Sequence, residues 1–123
     1  TMLSAILDVE QTPRGPHEVL LQKIYGYINA NLGSSELSPG SIAAAHYISV
    51  RHLHALFAEH DTTVSTVVKQ RRLEHARADL TDPAQRGRTV AAIATRWGFV
   101  DAAHFSRVFK QSYGISPSEL RAL

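Results

Sequence analysis

Apolar residues recur at intervals of three and four along most of this chain, and no stretch alternates strictly between apolar and polar. That spacing predicts helices rather than strands. From His17, the positions Leu20, Leu21, Ile24, Tyr25, Ile28 and Leu32 mark one helical face. Pro16 suits its first turn, and Gly33 suits the position just past its end. Ser38-Pro39 opens a second, short helix to about His46. Ser49 caps a third, Val50 to His60, with Leu53, Leu56 and Phe57 on one side. Asp61-Thr62-Thr63 interrupts, and Thr63 caps a fourth helix over Val64 to Leu80, about 25 Å long at 1.5 Å per residue. Its apolar positions form a broken stripe (Val64, Val67, Val68, Leu73, Ala76, Leu80), with Lys69, Arg71, Arg72 and Arg77 elsewhere around it. Asp82-Pro83 ends that helix, and Asp82 to Arg88 reads as a polar loop. Thr89 caps a fifth helix through Trp97, ended by Gly98. Asp101 caps a sixth, Ala102 to Tyr113, closed by Gly114. Ser116-Pro117-Ser118-Glu119 reads as a capping box before a short last helix. The expected fold is all-α with seven helices.

One pattern is written twice. Ile42-Ala43, Tyr47-Ile48-Ser49, Leu53 and Phe57 form the first copy. Ile93-Ala94, Gly98-Phe99, Asp101, Phe105 and Phe109 form the second. Each reads as a short helix, a tight turn and a second helix, the pattern of a helix-turn-helix, whose second helix can lie in a DNA major groove. A helical bundle alone yields apolar pairs at this spacing, but not matched alanines, caps and turns. The copies align with one offset before the turn and one residue more after it, so the second turn is a residue longer. Tyr47 stands where the second copy has Gly98. Either Tyr47 is strained, because positive φ costs a side chain ~1–2 kcal/mol, or the first turn has another geometry.

Composition narrows the chemistry. Hydrophobic residues are 44% and charged residues 20%, enough for a core and too few charges for a disordered chain. The net charge is only +2, so basic character must be concentrated to matter. The absence of cysteine removes disulfides, thiolate metal sites and a cysteine nucleophile. No apolar run reaches the roughly 18 residues of a membrane span. His52 and His54 point to different helix faces, and His46, His60, His75 and His104 show no pairing for a metal. No phosphate-binding glycine loop or nucleophile elbow occurs. Neither a catalytic site, a metal nor a cofactor is expected, and a cytoplasmic location is.

The second copy carries the string Arg96-Trp97-Gly98-Phe99-Val100-Asp101-Ala102-Ala103-His104-Phe105-Ser106-Arg107-Val108-Phe109-Lys110, followed by Gly114-Ile115-Ser116-Pro117 and Arg121. With Arg71-Arg72-Leu73-Glu74-His75-Ala76-Arg77 and Ile48-Ser49-Val50-Arg51-His52-Leu53-His54-Ala55-Leu56-Phe57, it resembles the DNA-binding domain of AraC/XylS transcription regulators. The resemblance runs from about Val19 to Leu123. It implies two helix-turn-helix subdomains, 17–63 and 82–123, joined by a linker helix at 64–81 and docking in adjacent major grooves through helices at about 50–60 and 102–113. Residues 1–16 read as a linker or tail. With Thr1 ahead of Met2, they are expected to be the end of a linker from an N-terminal effector or dimerisation domain, which many members carry; the alternative is a small stand-alone regulator. Tyr47 departs from the glycine common in the family, and Ala102 and Ala103 from polar residues.

By family position, Arg51 and Arg107 are the expected base readers, since arginine donates two parallel bonds to guanine. They occupy non-equivalent places. Arg51 aligns with Ala103, and Arg107 with Ala55, one helical turn apart, so the half-sites should differ and the site be asymmetric. His54 and Ser106 can bond base edges, and Ala55, Ala102 and Ala103 can touch thymine methyls. Arg72, Arg88 and Lys110 are expected on phosphates, with the helix starts at Ser49 and Thr89. Asp101 is acidic and fits a capping role only. The expected protein is a transcription regulator, an activator, with double-stranded DNA as partner and RNA polymerase as a second. The rival reading is a helical protein-interaction module without sequence-specific DNA binding.

Overall fold

The computed structural model describes residues 15–123; the reading of 1–16 as a tail therefore lies almost wholly outside the described residues. Seven α-helices appear among them: α1 (Pro16–Ala30), α2 (Pro39–Ala45), α3 (Val50–Ala58), α4 (Val64–Thr81), α5 (Val90–Arg96), α6 (Ala102–Tyr113) and α7 (Pro117–Ala122). A 3₁₀ turn, Pro83–Gln85, lies within the expected polar loop.

Short polar side chains start these helices as the sequence predicts. Ser49, Thr63, Thr89, Asp101 and Ser116 each accept a first-turn backbone N–H. The reciprocal capping box forms at Ser38 and Ser41, while at Ser116 the serine oxygen accepts the Glu119 N–H.

The two helix-turn-helix turns close in the same way. Tyr47 N–H donates to Ala44 O and Ile48 N–H to Ala43 O; Gly98 N–H donates to Thr95 O and Phe99 N–H to Ala94 O. This paired arrangement is a Schellman motif, which needs a left-handed residue. Gly98 has φ 87° and Tyr47 has φ 58°. Of the two alternatives for Tyr47, the strained one holds. The extra residue of the second turn is Val100, 88% exposed. A third such end, with Asp61 at φ 55°, closes α3.

Two cores form. Ile24, Ile28, Leu32, Ile42, Ala43, Leu53, Leu56 and Phe57 make the first, with Val64, Val67 and Val68 of α4. Ile93, Ala94, Phe99, Phe105 and Phe109 make the second, with Leu73, Ala76 and Leu80 of α4. At 100° per residue, the two α4 sets point roughly 160° apart. The stripe looked broken because α4 is gripped on opposite faces by different cores. Its arginines secure the grip. Arg71 donates to Asn29 Oδ1 at 3.0 Å and lies over the Tyr25 ring. Arg77 lies over Tyr113.

The two halves meet at a tight joint. Arg72 Nε donates to Leu32 O at 2.9 Å and its Nη2 to Ser34 O at 2.8 Å. Trp97 packs against both cores and stacks on His75 at 4.4 Å. Asp79 Oδ2 accepts from Trp97 Nε1 at 2.8 Å and from Arg96 Nη1 at 3.0 Å. Gly33 is not the helix-ending residue the sequence suggested: α1 ends at Asn31 with ordinary negative φ. A β-carbon at Gly33 would lie 2.7 Å from Arg96 O, so glycine is needed there for close approach between the halves. Trp97→Phe removes the indole donor while Arg96 still pairs Asp79. We expect a loss of about 1.5 kcal/mol, as for a hydrogen bond to a charged group, measurable by urea unfolding.

Candidate nucleic-acid interface

Helices α3 and α6 each follow their turn directly and bury one side. Leu53, Leu56 and Phe57 face inward on α3, and Phe105 and Phe109 on α6. What remains outside is set by that burial. On α3, Arg51, His54 and Ala55 are exposed; on α6, Ala102, Ala103, Arg107 and Lys110 are exposed and Ser106 is half-buried. Residues 51, 54, 55 and 58 share one face by their spacing, and 103, 106, 107 and 110 share the matching face. The expected base-facing residues are thus brought together on two equivalent surfaces, apart from Ala102, which adjoins its face at the helix start.

The register difference survives folding. Ser49 and Asp101 occupy the same cap position, so Arg51 is the second residue of α3 while Arg107 is the sixth of α6. Among the described residues, the Arg51, Arg107 and Lys110 side chains have no hydrogen bond or ion pair within the protein. Neither helix contains an acidic residue. The mild net charge is therefore concentrated: both outward faces present uncompensated positive charge.

The phosphate candidates divide. Lys110 is open to solvent beside the α6 base face. The Arg88 side chain is exposed, and its carbonyl accepts from Arg121 Nη1. Ser49 Oγ accepts the His52 N–H and Thr89 Oγ1 the Ala92 N–H, so both hydroxyl oxygens serve as caps. Arg72 is engaged within the protein. Its Nε and Nη2 are held by the Leu32 and Ser34 carbonyls, which places it at the joint. Desolvation there lowers its pKa from the ordinary arginine value.

The structural roles of Asp79 and Arg121 were not legible in the sequence, although Arg121 belongs to the string that carries the family resemblance. Their partners lie 17 or more residues away, so no local pattern marks those roles. Arg121 clamps the loop before α5 through the Gln85 and Arg88 carbonyls. Among the described residues, no group of histidine and carboxylate side chains could hold a metal. No described helix is long and apolar enough to cross a membrane.

A pair of helix-turn-helix units on a shared helix, each with an acid-free outer face, defines a class of DNA-binding domain. A family model described as a helix-turn-helix domain matches residues 42–123. The chain is 37% identical over 103 residues to the transcriptional activator NphR of a Rhodococcus species, covering 82% of this chain and 29% of that protein. It is 30% identical over 112 residues to the transcriptional activator RhrA of Rhizobium meliloti (strain 1021), covering 91% of this chain and 35% of that one. Among solved structures, an AraC-type transcriptional regulator from Chromobacterium violaceum superposes with TM-score 0.76 at 28% identity, over 85% of this chain and 91% of that one. The C-terminal domain of AraT, a response regulator from Geobacillus stearothermophilus, shares the fold, with TM-score 0.78 at 23% identity over 90% of this chain and 88% of that one. The chain belongs to the AraC/XylS family of helix-turn-helix, DNA-binding transcription regulators. It spans about a third of the length of these curated relatives.

Proposed function

We propose that this domain reads an asymmetric DNA site by placing α3 and α6 in successive major grooves, as part of a transcriptional activator. The observation that carries the reading is the stagger of Arg51 and Arg107 on two otherwise matched, acid-free faces. Residues 17–63 and 82–123 act as the two reading units and 64–81 as the spacer. Arg51 and Arg107 read guanines, His54 and Ser106 bond base edges, and Ala55, Ala102 and Ala103 meet thymine methyls. Lys110, Arg88 and the starts of α3 and α5 at Ser49 and Thr89 meet phosphates; Arg72 positions the units instead. The curated relatives are named activators and are about three times longer. Those names support an activating role, and the greater length supports further chain in the whole protein, which we read as an effector or dimerisation domain; RNA polymerase is the proposed second partner. The domain is no enzyme, and its place of action is the cytoplasm.

The joint adds a consequence. At 18 residues, α4 spans roughly 27 Å, while successive major grooves on one DNA face are roughly 34 Å apart. With the halves locked at Arg72, Gly33, Gly98 and Trp97, we infer that the DNA bends towards the protein, at a cost on the order of 1–6 kcal/mol.

Selection of bound sites from random DNA should enrich two unlike half-sites about one turn apart, and circular-permutation gel shifts on the selected site should show a bend. No enrichment would favour the protein-interaction reading. Straight DNA with both half-sites protected would remove the bend.

A further inference from the structure

Tyr47 holds, at φ 58°, the conformation that Gly98 holds without a side chain. Such strain persists where the surrounding structure or a function requires it. Nothing inside the protein uses the Tyr47 ring. It is 97% exposed and, among the described residues, makes no hydrogen bond or ring contact. The turn is closed by backbone bonds that glycine makes equally well in the second copy. The side chain therefore opposes the turn it sits in and contributes nothing to the core.

Its position points outward to a partner. Tyr47 lies two residues before the Ser49 cap and four before Arg51, at the entrance to the first recognition helix. The free first-turn N–H groups and the unpaired Arg51 guanidinium beside it favour an anion over an apolar protein surface. A phenol is a neutral O–H donor on a stiff ring, and tyrosine is among the side chains that bond DNA phosphates.

We propose that the Tyr47 hydroxyl donates a hydrogen bond to a backbone phosphate at the edge of the groove entered by α3, fixing the register of that helix. The second unit has glycine at this place, so the clamp belongs to the first half-site alone. This rests on the reading that α3 lies in a major groove.

The test measures stability and DNA affinity separately, using the 123-residue chain and its selected site. Tyr47→Gly should leave Tm unchanged or raised, because the left-handed strain is relieved. Tyr47→Phe should leave Tm unchanged. Both should weaken binding by about tenfold or more, as for one hydrogen bond to a charged group. A neutral donor releases no counterions, so the salt dependence should keep its slope, whereas Lys110→Ala should make it shallower by about 0.9. Phosphate ethylation at the first half-site should impair the wild-type protein, and one such phosphate should become insensitive in Tyr47→Phe. Wild-type affinity in Tyr47→Phe, with Arg51→Ala still impaired, overturns the clamp and leaves the groove reading standing. Wild-type affinity in Arg51→Ala as well overturns both. Tyr47 variants that bind DNA normally but lose activation with purified RNA polymerase assign the residue to the polymerase and overturn the clamp.

Discussion

Replacing Gly98 with alanine should lower stability by about 3 kcal/mol, of which the left-handed backbone accounts for ~1–2 and displaced neighbours for the rest. The neighbours are specific. A β-carbon at Gly98 would lie 2.7 Å from Leu32 O, 2.8 Å from Arg72 Cζ and 2.9 Å from Arg72 Nε. Neither can yield easily, because Arg72 Nε is bonded to that same carbonyl. The substitution strains the turn and pries the joint apart together. In a domain of this size, Tm should fall by roughly 10 °C. Assayed well below that Tm, affinity for the two-groove site should fall roughly tenfold or more, because the two helices lose their fixed separation. Calorimetry and gel shifts check both parts. Unaltered affinity in the folded variant would mean that the joint does not set the spacing. Tyr47 shows why the same substitution is tolerated in the first copy: that turn faces solvent, so only the backbone cost applies.

Arg107→Ala should weaken binding to the selected site by about 1–3 kcal/mol, or ~5- to 150-fold. The loss should be confined to one base position, where the preference for guanine disappears. Arg51→Ala should do the same at a different position in the other half-site. The stability of both variants should be close to wild type, because the two side chains are exposed and unpaired. Binding measured across single-base variants of the site separates this result from loss of a phosphate contact, which would weaken every sequence equally. Symmetric half-sites, with both arginines at equivalent positions, would contradict the stagger seen between α3 and α6.

Much of this was legible in the chain. Helix starts were, because Ser49, Thr63, Thr89 and Asp101 bond N–H groups two or three residues away. The long α4 was, because caps and Asp82-Pro83 bound it. The outward residues of α3 and α6 followed from periodicity. The family resemblance supplied the assignment of Arg51 and Arg107 as base readers, and their stagger followed from aligning the two copies. The place of Arg72 at the joint was not legible for a definite reason: its partners are carbonyls of Leu32 and Ser34, some forty residues back. A backbone carbonyl belongs to every residue and so leaves no mark in sequence. Gly33 failed similarly. A glycine past a helical run resembles a cap, but its neighbour is Arg96 O in the other half.

The sequence by itself determined the local events: seven helices, two matched turns, the one-residue difference between them, and which side of each recognition helix stays outside. These depend on bonds and periodicities within a few residues. Only the tertiary structure decided how the halves are coupled: that α4 is held on opposite faces, that Arg72, Asp79 and Trp97 lock the joint, and that Gly98 must be glycine while Tyr47 need not be. Those facts depend on what comes near in space. The same left-handed turn has a carbonyl and a guanidinium against it in one copy and open solvent in the other.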